Sequence, residues 1–151
     1  MCIELGDQAE IGWRFRKKIR IKSRSKIKIM SKQFDHEKLS VYQQSVRFVA
    51  WVDDLLETVP RSIAAHDQLE RASTSVPLNI AEGNGKFTSK DRCKFFDTAR
   101  GSALECAACL DVLCAKKKID SKTADTGKAL LVEIVSMLVG LIRSNSPDRN
   151  A

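Results

Sequence analysis

Chemistry in this 151-residue chain has to come from a short set of side chains. The only histidines are His36 and His66. A di-iron centre in a helical bundle needs Glu-x-x-His on two helices, and neither histidine follows a glutamate by three positions. Cys106-x-x-Cys109 has the spacing of a zinc or redox pair. A zinc site would need further ligands, which only Cys2, Cys93, Cys114 and the two histidines could supply. The pair also falls mid-helix, where cysteine behaves as a small apolar residue. Asp53, Asp54 and Glu57 are the carboxylates a metal-dependent nuclease could use, but they read as a solvated helix face. No Walker or dinucleotide-binding glycine pattern occurs, and no serine sits in a nucleophile elbow. No catalytic residue, metal or cofactor is expected, and the chain reads as a non-enzyme.

Phosphate binding is the chemistry that the composition favours. Residues 1–33 hold ten basic side chains against three acidic ones, which is the whole formal charge of +7. Arg14, Arg16, Lys17, Lys18, Arg20, Lys22, Arg24, Lys26 and Lys28, with Lys32 behind them, form a basic arm able to contact nucleic-acid phosphates. The competing reading is a disordered tail, or a stretch upstream of a second start at Met30. No apolar segment suited to a secretory signal follows the arm. Reduced cysteines and a cytoplasmic location are therefore expected. Residues 34–151 carry 16 basic and 16 acidic residues, so the rest of the chain is neutral.

Polar residues on apolar seams form a second group. Asn79 falls on the seam of one helix, Glu82 follows a turn later, and Glu105 lies beside the seam of the next. Buried charge must be paired, so Glu82 or Glu105 is expected to pair with Arg71 or Arg100. A network that fixes helix register is the plain reading. A ligand or RNA contact is the functional one.

The elements that position these residues are helical. Three prolines and seven glycines leave room for long helices. Periodicity predicts helix 1 over about Asp35–Val59, with Asp35 as N-cap, one stripe of Leu39, Tyr42, Val46, Val49 and Leu56, and a second of Val41, Phe48, Val52, Leu55 and Val59. Helix 2 covers about Ser62–Glu82, with a seam of Ala65, Leu69, Ala72, Val76, Asn79 and Gly83, a kink at Pro77, and a glycine stop at Gly83-Asn84-Gly85. Helix 3 starts after Thr88, which with Asp91 resembles a capping box, and its seam is Phe96, Ala99, Ala103, Cys106, Leu110 and Leu113. Helix 4 begins between Asp120 and Asp125 and reaches about Ser144. It is apolar almost all round, which predicts burial by other copies of the chain. Short connections imply an all-α, antiparallel, up-down-up-down four-helix bundle over residues 34–145, with a basic extension over 1–33 and a fraying tail over 146–151.

Three stretches then resemble a known family: F-D-x-E-K-L-x-V-Y-Q (Phe34–Gln43), Q-L-E-R-A-S-T-S-V-P-L-N-I-A-E-G (Gln68–Gly83) and F-F-D-T-A-R-G-S-A-L-E (Phe95–Glu105). In this combination the chain resembles the 23S rRNA-intervening sequence proteins of bacteria, found as reading frames inside sequences that interrupt large-subunit rRNA genes. The resemblance implies a four-helix bundle protomer, commonly a ring-like homopentamer, with no established enzymatic activity. Asn79, Glu82, Gly83, Gly101, Ser102 and Glu105 match its signature positions. A related group comprises accessory proteins of retroelement reverse transcriptases, which bind nucleic acid and the polymerase. Two functions follow as expectations. One is an oligomer that binds RNA or DNA through basic surface. The other is a structural or protein-interaction module, such as a reverse-transcriptase accessory subunit.

Overall fold

The structure, a computed structural model, describes residues 33–146. The expectations placed on the basic segment before residue 33 and on the tail beyond residue 146 lie outside the described residues. A 3-10 turn, Asp35–Lys38, precedes four helices: α1 Ser40–Leu56, α2 Ala64–Asn84, α3 Ser89–Ala115 and α4 Ser121–Asn145. No strand occurs among the described residues.

Helix 1 does not begin at Asp35. Phe34 stands in extended backbone and its N–H donates to the Glu37 carboxylate at 2.7 Å. The Asp35 carboxylate is taken by Lys38 at 2.9 Å and caps nothing. Leu39 is extended as well, so the chain turns once before α1 starts. Within α1, Val41, Ser45, Phe48, Val52 and Leu56 are buried. Val41, Phe48 and Val52 come from the second predicted stripe and Leu56 from the first, while Leu55 is half-buried. Ser45 fits the apolar seam because its hydroxyl donates to the Tyr42 carbonyl at 2.7 Å.

Helix α2 runs through Pro77 and reaches Asn84. The Ser73 and Thr74 hydroxyls both donate to the Glu70 carbonyl, at 2.9 and 3.0 Å. Gly83-Asn84-Gly85 is not a left-handed stop: α2 includes Gly83 and Asn84, and Gly85 caps it at φ −79°. Gly83 serves packing instead. A Cβ there would lie 2.9 Å from Phe96 Cε1 and 3.0 Å from Phe95 Cβ. Thr88 caps α3 as expected, accepting from the Asp91 N–H at 3.1 Å and donating to its carboxylate at 2.7 Å. The predicted α3 seam is buried in full.

The left-handed helix end is at Lys117, with φ 54°. Its N–H donates to the Cys114 carbonyl, and the Lys118 N–H reaches back to Leu113, both at 2.9 Å. This is the six-to-one, five-to-two closure that glycine usually makes. Asp120 then caps α4, accepting from the Thr123 N–H at 2.7 Å.

Paired contacts fix the helix directions. Gln68 meets Glu105, Ser75 meets Ser102, and Arg92 meets Asn84, so α2 and α3 run antiparallel. Cys93 pairs with Ile142 and Asp111 with Lys128, so α3 and α4 do too. Gln44 donates to Glu133 at 2.9 Å, joining α1 to α4. At this seam Gly127 lets the Trp51 ring lie against α4. A Cβ on Gly127 would stand 2.5 Å from Trp51 Cη2 and 2.7 Å from Leu110 Cδ1. The centre of the bundle is filled by Phe48, Leu69, Val76, Ile80, Phe96, Leu110, Leu113, Ile134 and Leu138.

Within one chain α4 is buried along one side. Ala124, Gly127, Leu131, Ile134, Leu138 and Ile142 are buried. Leu130, Val135, Met137 and Leu141 pack partly against the core. The side turned away from the core of the chain carries Ala129, Val132, Glu133, Ser136, Gly140 and Arg143. The continuous exposed apolar stripe lies on α3, over Gly101, Leu104, Ala108, Val112 and Ala115.

The glycines separate cleanly by substitution. Gly127→Ala and Gly83→Ala are each expected to destabilise by about 1–3 kcal/mol through overpacking. Gly101→Ala, with nothing within 4 Å of its Cβ, should stabilise by about 0.5–1 kcal/mol through helix propensity. Urea midpoints measure all three, and equal effects at Gly83 and Gly101 would contradict the packing account. Lys117→Gly should raise stability by about 1 kcal/mol, since it removes the left-handed strain of a side chain. A lowered thermal midpoint would show that the lysine side chain contributes more than its backbone strain costs.

Candidate functional site

The antiparallel pairing brings the end of α2, the start of α3 and the end of α4 to one pole. The turn between α2 and α3 is four residues long, from Gly85 to Thr88. The Lys86 N–H closes it by donating to the Gly83 carbonyl at 3.2 Å. With both ends pinned by hydrogen bonds, the turn holds Phe87 wholly in solvent, at 104% of reference exposure. A fully wet phenyl ring is unusual, because burial of a Phe side chain is worth about 1.5–3 kcal/mol.

Basic residues flank Phe87 in the sequence. Lys86 pairs with Glu82 at 3.0 Å, and its ammonium stands 4.6 Å from the centre of the Phe95 ring. Lys90 and Lys94 lie one helical turn apart, exposed, and form no ion pair among the described residues. Arg92 donates through Nη2 to the Asn84 carbonyl at 3.1 Å, while its buried Nε has no hydrogen-bond partner. From Glu82 to Lys94 the chain carries four basic residues against Glu82 and Asp91. Asp91 is engaged by Thr88.

These residues escaped the sequence reading. Their signal was G-K-F-T-S-K-D-R-C-K, a basic run with an aromatic interleaved, over Gly85–Lys94. The balanced charge of the bundle as a whole concealed it.

The signature residues sit further along the α2–α3 interface. The Asn79 amide donates to the Ser75 carbonyl at 2.8 Å and to its hydroxyl at 3.0 Å, and Ser75 and Ser102 hydroxyls meet at 2.9 Å. The result is a polar bridge between α2 and α3. The predicted ion pairs are not formed. Glu82 pairs with Lys86, and Arg100 pairs with Asp97 at 3.0 Å. Glu105 accepts from Gln68, and Gln68 accepts from Arg71 at 2.6 Å, so Arg71 reaches Glu105 only through an amide. Glu82 and Glu105 are exposed. Without burial nothing forces a long-range pair, and each arginine takes the acceptor one turn away. Gly101 faces open space.

The two thiols of the C-x-x-C spacing are both in the core. Burial, then the neighbouring Cys109 and Glu105, pushes the Cys106 thiol up to about 12. Burial also raises Cys109, with Glu105 adding to it. A reactive or metal-binding thiolate needs the opposite shift.

Residues 37–140 match the 23S rRNA-intervening sequence protein family. No protein of curated function matches the sequence. Among solved structures, it is similar to a protein of unknown function from the S23 ribosomal protein family of Bacteroides thetaiotaomicron. The TM-score is 0.64 at 22% identity, over 68% of this chain and 98% of that one. At that identity the likeness is one of fold, and it agrees with four helices read from the sequence. Fold and family match coincide over the same stretch: this chain belongs to the 23S rRNA-intervening sequence protein family.

Proposed function

We propose that this protein is a non-enzymatic, homo-oligomeric, cytoplasmic protein that binds single-stranded nucleic acid. The observation that carries the reading is the α2–α3 turn, where Phe87 stands fully exposed in a stretch of sequence that also carries Lys86, Lys90, Arg92 and Lys94. Aromatic faces stack on bases without regard to sequence, and flanking cations follow the phosphates. The family's name, 23S rRNA-intervening sequence protein, points to RNA as the first nucleic acid to try. Arg14, Arg16, Lys17, Lys18, Arg20, Lys22, Arg24, Lys26 and Lys28 would add a second, purely electrostatic contribution. Assembly would multiply both, because several weak sites on one particle act together. Its support is the exposed apolar stripe of α3, with Leu104 52% and Val112 43% exposed. No helix among the described residues is long and apolar enough to cross a membrane.

A protein-interaction role, for example as an accessory subunit of a reverse transcriptase, would use the same exposed ring as a hydrophobic anchor. Fluorescence anisotropy with a labelled single-stranded RNA distinguishes the two. The expected binding weakens linearly in log salt. Phe87→Ala weakens it by about tenfold, the value of one lost stacking contact. The Lys90→Ala, Lys94→Ala double variant weakens it and lowers the salt slope by about 1.4. Deleting residues 1–29 reports the contribution of the basic segment separately. Binding that ignores salt, or that is equal in wild type and both turn variants, refutes the nucleic-acid reading at this pole.

A second measurement tests assembly. Leu104→Glu with Val112→Glu is expected to reduce the mass measured by light scattering to that of one chain while leaving the helical circular dichroism intact. A wild-type protein that is already a single chain in dilute solution removes the oligomer from the proposal.

A further inference from the structure

The corner where α1 ends and α2 begins carries the opposite charge from the α2–α3 turn. Asp53 of α1 and Glu57 just past its end, with His66 and Glu70 of α2, line a cavity of about 170 Å³ together with Leu56 and Val59. The His66 side chain is 5% exposed. Its Nδ1 lies 3.2 Å from Asp67 Oδ1, and its other ring nitrogen takes no hydrogen bond among the described residues. The carboxylates of Asp53, Glu57 and Glu70 make no ion pair there either. Arg61 also lines the cavity but comes within 4.0 Å of none of these acids.

Helical spacing explains the convergence. Glu70 is four residues beyond His66 and three beyond Asp67, so all three project from one turn of α2. One donor atom from each falls within 4.8 Å of the other two. An ion held by bonds of about 2.1 Å allows donors up to about 4.2 Å apart. Small rotations of the exposed Asp67 and Glu70 side chains close that difference. A structural His66–Asp67 pair would account for Nδ1 alone. It leaves the second ring nitrogen and three unpaired carboxylates around one cavity without a role. The positive end of the α2 dipole opposes a cation here, but four carboxylates against Arg61 reverse the sign.

We propose that His66, Asp67 and Glu70, backed by Asp53 and Glu57 across the cavity, bind one divalent transition-metal ion of the zinc class. An imidazole nitrogen among carboxylate oxygens suits zinc, cobalt or nickel, whereas calcium and magnesium prefer oxygen alone. Such a site needs neither Glu-x-x-His nor a cysteine pair, which is why the sequence motifs did not disclose it.

The test is isothermal titration of the full chain with zinc chloride, alongside the absorption spectrum of the cobalt(II) form. One zinc per chain is expected, with a cobalt spectrum free of thiolate charge-transfer bands. Glu70→Gln and Asp67→Asn are each expected to weaken zinc binding by about tenfold or more, and His66→Gln to abolish it. Since His66 is buried, the exposed double variant Asp67→Asn, Glu70→Gln decides the matter if His66→Gln unfolds. The proposal fails if the wild type takes up no zinc, if the double variant binds as tightly as the wild type, or if thiolate bands identify cysteines as the ligands.

Discussion

The molecule depends on how closely α2 and α3 can approach. Ala99, Ala103 and Cys106 line the inner seam of α3 and are fully buried. Ala72 and Gly83 present equally little bulk from α2. Side-chain volume at the contact sets the distance between packed helices, and here it is minimal along much of the interface. Close approach is what allows Ser75 and Ser102 to touch hydroxyl to hydroxyl, since neither side chain is long enough to span a wider gap. It also forces Phe96 under Gly83, at the point where α2 must stop and the chain must turn. The position of the α2–α3 turn, and so of Phe87 and its lysines, follows from a packing requirement several residues away.

The neutral total of residues 34–151 conceals a separation of charge. Basic groups cluster at the α2–α3 turn, and carboxylates cluster where α1 meets α2. Each cluster is local in sequence, and the two stand at opposite ends of α2. Coulomb interactions between exposed groups fade within about 8–10 Å at moderate salt, so the two clusters act independently of each other. A net charge computed over the whole chain is therefore a poor guide to what either end attracts.

The same distinction explains what could be read from the sequence. The α3 seam was legible to the residue because every third or fourth position is apolar and the neighbouring positions are small or polar. Thr88 was legible because capping is local chemistry within one turn. The 3-10 turn at Asp35–Lys38 was not, because it depends on a carboxylate, Glu37, choosing the Phe34 N–H rather than solvent. The breadth of the α4 apolar arc is accounted for in part within the chain. In a bundle each helix touches two neighbours, so Leu130 and Val135, on opposite flanks, are both partly covered within one chain. The exposed stripe on α3 was overlooked because Gly101, Ala108 and Ala115 give a weak signal, and only accessibility shows that they share a face with Leu104 and Val112.

Helix α1 is the least firmly held of the four. Its contact with α4 is the slightest between neighbouring helices, and its contact with α2 is well below that of α2 with α3. Trp51 against Gly127 and Gln44 with Glu133 secure it to α4. On the α2 side a cavity remains, and three of the seven residues lining it are acids, Asp53, Glu57 and Glu70. Carboxylates placed on both helices around an unfilled space weaken the α1–α2 contact unless something positive lies between them. A cation in that corner would convert mutual repulsion into shared coordination. Because it would bind the folded arrangement and not the unfolded chain, it would also stabilise the fold in proportion to its saturation. The acidic corner is thus understandable as a joint between α1 and the tightly packed α2–α3 pair, with its strength set by what occupies it.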